Sequence, residues 1–304
     1  MTESNKNGFD YLGRFKLTGI IAACFLGAAI VCIILTKCGI PAFVFDYDYA
    51  GGVKMQIDLG EKITGEMLDD AQDICTGAAG EKATVAASSS VGTAIIVKTG
   101  NINSTTRQNV VTQLGKKYGA DKVKLLATSI ADTGSGFGPN GKLITVFLFA
   151  FLIIFVYLVA RFGFGGACAG AVCVLHNLMV MLLSYVLFRI EIGSTTISAV
   201  LVSIGLSVVS LVVVFDSIRS LWKDGAKDHF ADVVSPGIAR AFALDSKILL
   251  ASVAIIIVLM ISGTSALRTI CLPLLFANIA AWYASIFIGG PLWKIFGGMK
   301  APKK

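Results

Sequence analysis

The sequence predicts a multi-span α-helical membrane protein: six transmembrane helices, with an extracytoplasmic α+β domain between the first and the second. Three observations carry that expectation. The chain is 55% hydrophobic and 15% charged, with a mean hydropathy of +0.78, whereas a soluble domain is about one quarter charged. The apolar residues gather into runs of about 20, the length that crosses a bilayer at roughly 1.5 Å per residue. After the first run, charge and turn residues return and apolar residues alternate, as in a folded soluble domain.

Taken in order, residues 1–16 are a polar cytoplasmic tail with Lys6, Arg14 and Lys16, and residues 17–36 are the first transmembrane helix. Lys37, Cys38, Gly39, Ile40 and Pro41 follow with no small-residue cleavage site, so the run reads as an uncleaved span and not a signal peptide. Residues 37–141 form the outer domain. Val53, Met55, Ile57 and Leu59 alternate with Lys54, Gln56 and Asp58, a strand with one buried face. Met67, Leu68, Ala71, Ile74 and Cys75 recur at helical spacing behind an N-cap at Thr64. Two short strands follow, near 84–87 and 94–97, around a Ser-rich turn with Gly92. Val110, Val111, Leu114 and Tyr118 mark a second helix, and 122–127 a last strand. The order βαββαβ suits a ferredoxin-like sheet with both helices on one face. Residues 134–141, with Pro139, are a linker.

Residues 142–293 are expected to form a five-helix bundle from the apolar runs 143–160, 167–188, 192–215, 248–262 and 270–292. The last two are separated only by the turn at 263–269 and should lie antiparallel, with Pro273 in the first turn of the final helix, where its missing donor costs little. Within 197–219, the residues Ser198, Ser203, Gly205, Ser207 and Ser210 give a flat, weakly polar face for close helix packing. That run ends on Asp216 and Arg219, three residues apart, read as a solvated ion pair. The cytoplasmic segment 216–247 mixes Asp224, Asp228, Asp232 and Asp245 with cations and with Phe230, Val233, Val234, Ile238 and Phe242. It reads as an interfacial amphipathic helix, with a docking surface as the other option. Residues 294–304 are a basic cytoplasmic tail. Lys and Arg gather on the side of the N-terminus, and the opposite short loops hold only Arg189 and Arg268, so both termini are expected in the cytoplasm. Tyr283 and Trp293 are candidate interface anchors.

Several function classes are excluded. The net charge of +7 is dispersed between spans and forms no basic stripe, so nucleic acid is not an expected partner. Seven cysteines lack metal-ligand spacing, and neither a metal nor a cofactor is expected. Cys38 and Cys75 are either two free thiols or a pair. His176 falls in mid-membrane and His229 on the cytoplasmic side, so neither can serve a nucleophile in the outer domain, and the chain is not read as an enzyme.

Three motifs now bear on identity. Asp48-Tyr49-Ala50-Gly51-Gly52 is similar to D-F-x-G-G, and Val212-Val213-Val214-Phe215-Asp216-Ser217-Ile218-Arg219 to V-V-V-F-D-R-I-R. Tyr283-Ala284-Ser285-Ile286-Phe287-Ile288, with Pro291 and Leu292, is similar to Y-S-S-I-F-I-x-x-P-L. In this order and topology the chain resembles the SecF branch of the SecD/SecF family, within the resistance-nodulation-division superfamily. The resemblance implies an auxiliary subunit of the Sec protein translocase in the bacterial cytoplasmic membrane. It would act with SecD, beside the SecYEG channel, on exported preproteins and in contact with membrane lipid, with the proton-motive force linked to the work. The alternative is a small transporter of the same superfamily, moving a lipid or small molecule unaided.

The resemblance also implies an intramembrane polar network, and here the sequence departs. The family's N-D pair aligns with Val209 and Ser210, its H-D pair with His176 and Asn177, and the Arg of its S-R-T with Lys247. No carboxylate is then expected inside the last five spans. His176, Asn177, Ser207 and Ser210 are expected to form a buried hydrogen-bond cluster, with a proton role for His176 as the other option. Lys247 is expected to snorkel to the interface. Proton coupling is expected to reside in SecD or to be much reduced. Gly51 and Gly52 are expected to permit a tight turn or close backbone approach, with Asp48 capping it.

Overall fold

Apolar sequence unbroken by Pro leaves the backbone no partner but itself, and the chain accordingly opens with α1, Phe15–Lys37, a helix of 23 residues. A computed structural model describes residues 15–38, 42–47, 51–88, 91–131, 142–224, 229–263 and 265–297. Of the predicted tails, 1–16 and 294–304, the parts 1–14 and 298–304 lie outside the described residues, as do the linker over 134–141 and Asp48. The chain divides into two units, one of residues 45–145 with 191–194 and one of the remainder.

In the outer unit β1 (Val44–Phe45) precedes β2 (Gly52–Asp58), α2 (Gly65–Ala79), β3 (Thr84–Ala87), β4 (Ala94–Thr99), α3 (Ser104–Tyr118) and β5 (Lys124–Ala131). The four longer strands pair antiparallel in the order β3-β4-β2-β5. The period-two alternation does what it predicts: Val53, Met55, Ile57 and Leu59 are fully buried, against Ala71 and Cys75 of α2 and Val110 and Leu114 of α3. Thr64 caps α2 by accepting the Met67 amide, at 3.4 Å. The last strand runs four residues beyond the expected 127. Residues 124–130 are all exposed, so no buried face in the sequence marked its end. Gly51 has φ 79°, and a Cβ on Gly52 would lie 2.3 Å from the Thr99 carbonyl oxygen, so the paired glycines are a close-approach device. All seven cysteines are free. Cys75 is in the core, its thiol pushed up to about 12 by burial, and Cys38 is exposed.

The short strand β6 (Glu191–Ile192) belongs to the same unit and pairs with β1, the Asp46 amide donating to the Ile192 carbonyl at 2.9 Å. Lys98 of β4 ties this corner together, bridging Asp46 at 2.8 Å and Glu191 at 3.0 Å. Partial burial alone would lower its pKa, but the hydrogen bonds and charges of Asp46 and Glu191 outweigh that and leave it raised. A raised lysine stabilises the fold below its unfolded value of about 10.4, and the contribution is lost as pH rises through the folded value. The thermal midpoint of the full chain is therefore expected to fall above about pH 10.5, and to fall less steeply in Lys98→Met; equal slopes would remove the role given to Lys98.

In the membrane unit, α4 (Lys142–Leu187) has 46 residues and is broken at Gly163, whose φ of 79° and ψ of 174° are not helical. Then come α5 (Ser194–Lys223), α6 (Phe230–Ser262), α7 (Ser265–Ala284), a π-helical turn (Ser285–Gly289) and α8 (Gly290–Ile295). Among the described residues five helices are long and apolar enough to cross a membrane. The antiparallel α6–α7 pair forms as expected and is registered by two polar contacts. The Trp282 Nε1 donates to Ser246 Oγ at 3.2 Å and the Asn278 side-chain amide to Ser252 Oγ at 2.6 Å.

Four expectations are corrected. Residues 230–262 are one helix and 216–223 belong to the helix before it, so the described residues hold no separate interfacial helix over 216–247. Val233, Val234, Gly237, Ile238 and Ala241 are buried, on a stripe that continues into the following span, because it packs on protein and not on lipid. Pro273 lies well inside α7, because that helix starts at Ser265. Asp216 pairs with Arg161 at 3.0 Å and not with Arg219, whose Nε is buried without a partner among the described residues. Trp293 is no interface anchor: it is fully buried, with ring centroids 5.7 Å from Phe162, 4.7 Å from Phe215 and 5.1 Å from Phe230.

Candidate functional site

The hydroxyl-rich face of α5 is the starting point, because serines spaced by a helical turn stack on one side. Ser203, Ser207 and Ser210 are all buried, while Ser198, Gly205 and Val209 are exposed. Ser210 thus faces protein, whereas its neighbour Val209 does not. Asn177, fully buried on α4, donates from its side-chain amide to Ser203 Oγ at 3.0 Å, to the Ser203 carbonyl at 3.3 Å and to Ser207 Oγ. Ser207 in turn donates to the Ser203 carbonyl at 3.0 Å. The network holds α4 against α5 without any group that titrates near neutral pH.

His176 does not join it. Its ring is 5% exposed and 6.2 Å from the Tyr283 ring, and neither nitrogen has a hydrogen-bond partner among the described residues. The Tyr283 hydroxyl instead donates to the Thr18 carbonyl of α1 at 2.9 Å, so this candidate anchor joins two helices. Lys247 is exposed on α6.

Ser210 has a different neighbour, one the sequence reading misplaced. Asp245, assigned above to a cytoplasmic segment, is fully buried on α6, inside one of the five membrane-length helices. The reading of Asp245 as one charge of a mixed polar segment is thereby corrected, since its side chain is enclosed by protein. Ser285 Oγ donates to Asp245 Oδ2 at 2.9 Å and lies 2.9 Å from the Trp282 carbonyl. Ser210 of α5 faces the same carboxyl, and Oδ1 makes no hydrogen bond within the described residues. A signal was present in the sequence: Val233, Gly237, Ala241 and Asp245 recur every four residues, which puts the acid on the apolar stripe of one helix.

Ser285 opens the π-helical turn, a rare local widening that appears mostly at functional positions. The turn packs tightly, since a Cβ on Gly289 would lie 3.1 Å from the Phe215 ring and one on Gly290 2.6 Å from Ile238. Phe215, Ser285 and Pro291 of the sequence motifs are all buried around it. The structure thus brings together Asp245, Ser210 and Ser285 in one cluster and Asn177, Ser203 and Ser207 in another. No group of His, Cys, Asp and Glu able to hold a metal occurs among the described residues.

Comparison with known proteins bears on the whole chain. The model of the family described as protein export membrane protein SecD/SecF, C-terminal, matches residues 110–298. Over 97% of its length the chain is 23% identical to the protein translocase subunit SecDF of Bacillus subtilis, of which it covers 39%. Over 50% of its length it is 30% identical to the protein translocase subunit SecF of Sebaldella termitidis, of which it covers 50%. The crystal structure of SecDF, a translocon-associated membrane protein from Thermus thermophilus, superposes with a TM-score of 0.70 at 21% identity. That match covers 95% of this chain and 39% of the other. The chain thus spans half or less of the length of these relatives.

Proposed function

The chain belongs to the SecD/SecF family of protein-export membrane proteins, and from that premise we propose that it is an auxiliary subunit of the Sec protein translocase. It works with a SecD-type partner beside the SecYEG channel, assisting preproteins across the bacterial cytoplasmic membrane at the expense of the proton-motive force. The family match over 110–298 is the observation that carries this reading, and the fold shared with SecDF supports it over nearly the whole chain.

Two features of the fold fit the reading. Drawn out as one straight helix, the 46 residues of α4 would run about 69 Å at 1.5 Å per residue, more than twice a hydrocarbon core of about 30 Å. We count it as two spans turned at Gly163, which gives six spans and puts both termini in the cytoplasm. The outer sheet order β3-β4-β2-β5 is that of a ferredoxin-like domain and leaves β5 at an edge, with Leu125, Leu126 and Ile130 exposed. An apolar edge of this kind is a surface for a partner.

The test is purification of the tagged full chain from its own membranes. A SecD-type protein and the channel subunits are expected at stoichiometric levels. A chain that purifies alone, or only as a homotrimer, would overturn the export reading in favour of an independent transporter.

A further inference from the structure

We propose that Asp245 is the ion-coupling carboxyl of this chain, taking up and releasing one proton in a site built by Ser210, Ser285 and the Trp282 carbonyl. The assignment rests on the export reading for what the proton drives, and on geometry for the site itself. A carboxyl inside a membrane span is expensive to bury and persists where it has a task. Asp245 has no Lys or Arg paired with it among the described residues, so it is not one half of a structural ion pair. Its neighbours are hydroxyls from α5 and the π-helical turn. On α6 itself Arg240 and Lys247 are exposed. The other titratable side chains of this region are His176 and Cys173, both buried, and the half-buried Tyr283: His176 and Tyr283 approach by their rings, the Tyr283 hydroxyl hydrogen-bonds the Thr18 carbonyl, and the Cys173 thiol hydrogen-bonds the Ala284 carbonyl at 3.4 Å.

The Ser285 hydroxyl makes both states of the acid tolerable. It has one proton and two acceptors at 2.9 Å, Asp245 Oδ2 and the Trp282 carbonyl oxygen. When Asp245 is ionised, Ser285 donates to Oδ2. When a proton from the aqueous phase binds Oδ2, the acid donates to Ser285 Oγ, and Ser285 turns its own proton to the Trp282 carbonyl. Asp245 Oδ2 and Ser285 Oγ keep a hydrogen bond to each other in both states, and only a hydroxyl torsion changes.

A chemical test needs no partner. The full chain in phospholipid vesicles is treated with dicyclohexylcarbodiimide, an apolar reagent that adds to protonated carboxyls, between about pH 5 and 9, the range of a perturbed acid. The Asp245 peptide is then analysed by mass spectrometry. The adduct is expected to rise as pH falls and to be absent from Asp245→Asn. In Ser285→Ala the half-labelling point is expected to move by about one pH unit, a tenfold change in proton concentration. An Asp245 that never labels, labels equally at every pH, or keeps its half-labelling point in Ser285→Ala overturns the assignment. Asp245→Asn keeps the side-chain shape, and the rotating hydroxyls can donate to its amide oxygen. That variant is therefore expected to co-purify with the translocase while losing the stimulation of export by an imposed proton gradient. Retained stimulation overturns the coupling role. A pH-dependent adduct in a chain that brings down no translocase component overturns the export reading and leaves the acid site standing.

Discussion

Replacing Trp293 with alanine is expected to cost about 3–5 kcal/mol of stability, and to abolish accumulation of the folded chain in membranes grown at the upper end of the host's range. The ring is fully buried and meets aromatic rings from three different helices, Phe162 of α4, Phe215 of α5 and Phe230 of α6. Offset and edge-to-face pairs of this kind add about 0.5–1.5 kcal/mol each beyond the buried area. Backbone closes in behind: a Cβ on Gly166 would lie 3.2 Å from the indole, so the helices have little freedom to collapse into the space left by alanine. Trp293→Phe discriminates packing from polarity. The indole Nε1 is buried without a hydrogen-bond partner among the described residues, so phenylalanine keeps the aromatic contacts and gives up no bond. It is expected to recover most of the loss. The measurement is the thermal midpoint of the detergent-solubilised chain by size-exclusion survival, which does not depend on indole fluorescence. A Phe variant as unstable as the Ala variant would mean that ring contact is not what holds the three helices together.

The outer unit was legible because its signals are local. Val53, Met55, Ile57 and Leu59 announce a one-faced strand, and Thr64 announces the helix after it, and these residues are fully buried in the first case and capping in the second. The long apolar helices were legible from hydropathy alone. What hydropathy could not separate is lipid from protein as the partner of an apolar stripe, since both accept the same side chains. That ambiguity turned the first half of α6 into an expected surface helix and hid the burial of Asp245. The same ambiguity made Trp293 an interface anchor. The polar cluster was half legible: Asn177 and Ser207 do meet, because both lie on stripes of small and polar residues, but the third partner is Ser203 and not His176. Ser210 was singled out for the acid it lacks, yet its importance is the acid it faces, across a contact between residues 35 positions apart that no local pattern encodes.

Gly237→Ala is expected to damage the Asp245 site from a distance. A Cβ at this position would lie 2.6 Å from Ile218 Cγ1 and 2.8 Å from the Ile218 Cα. The first atom belongs to a side chain that can turn; the second is backbone of α5 and cannot. The helices must therefore separate, at a cost of about 1–3 kcal/mol for overpacking. Asp245 lies eight residues further along α6, about 12 Å at 1.5 Å per residue, on the same stripe, so moving α6 away from α5 draws its carboxyl away from Ser210. The expected result is a lowered thermal midpoint together with a changed half-labelling pH at Asp245, although the acid and both serines are intact. Ile218→Ala in the same chain removes the Cγ1 clash and leaves the Cα clash, so the double variant should recover only part of each effect, and the cycle should report a favourable coupling between the two positions. Gly205→Ala is the control: a Cβ there meets nothing within 4 Å, and alanine in a helix interior is favoured over glycine by about 0.5–1 kcal/mol. It should leave the labelling curve where it was. If Gly237→Ala and Gly205→Ala behave alike, the close approach of α5 and α6 is not what sets the environment of Asp245.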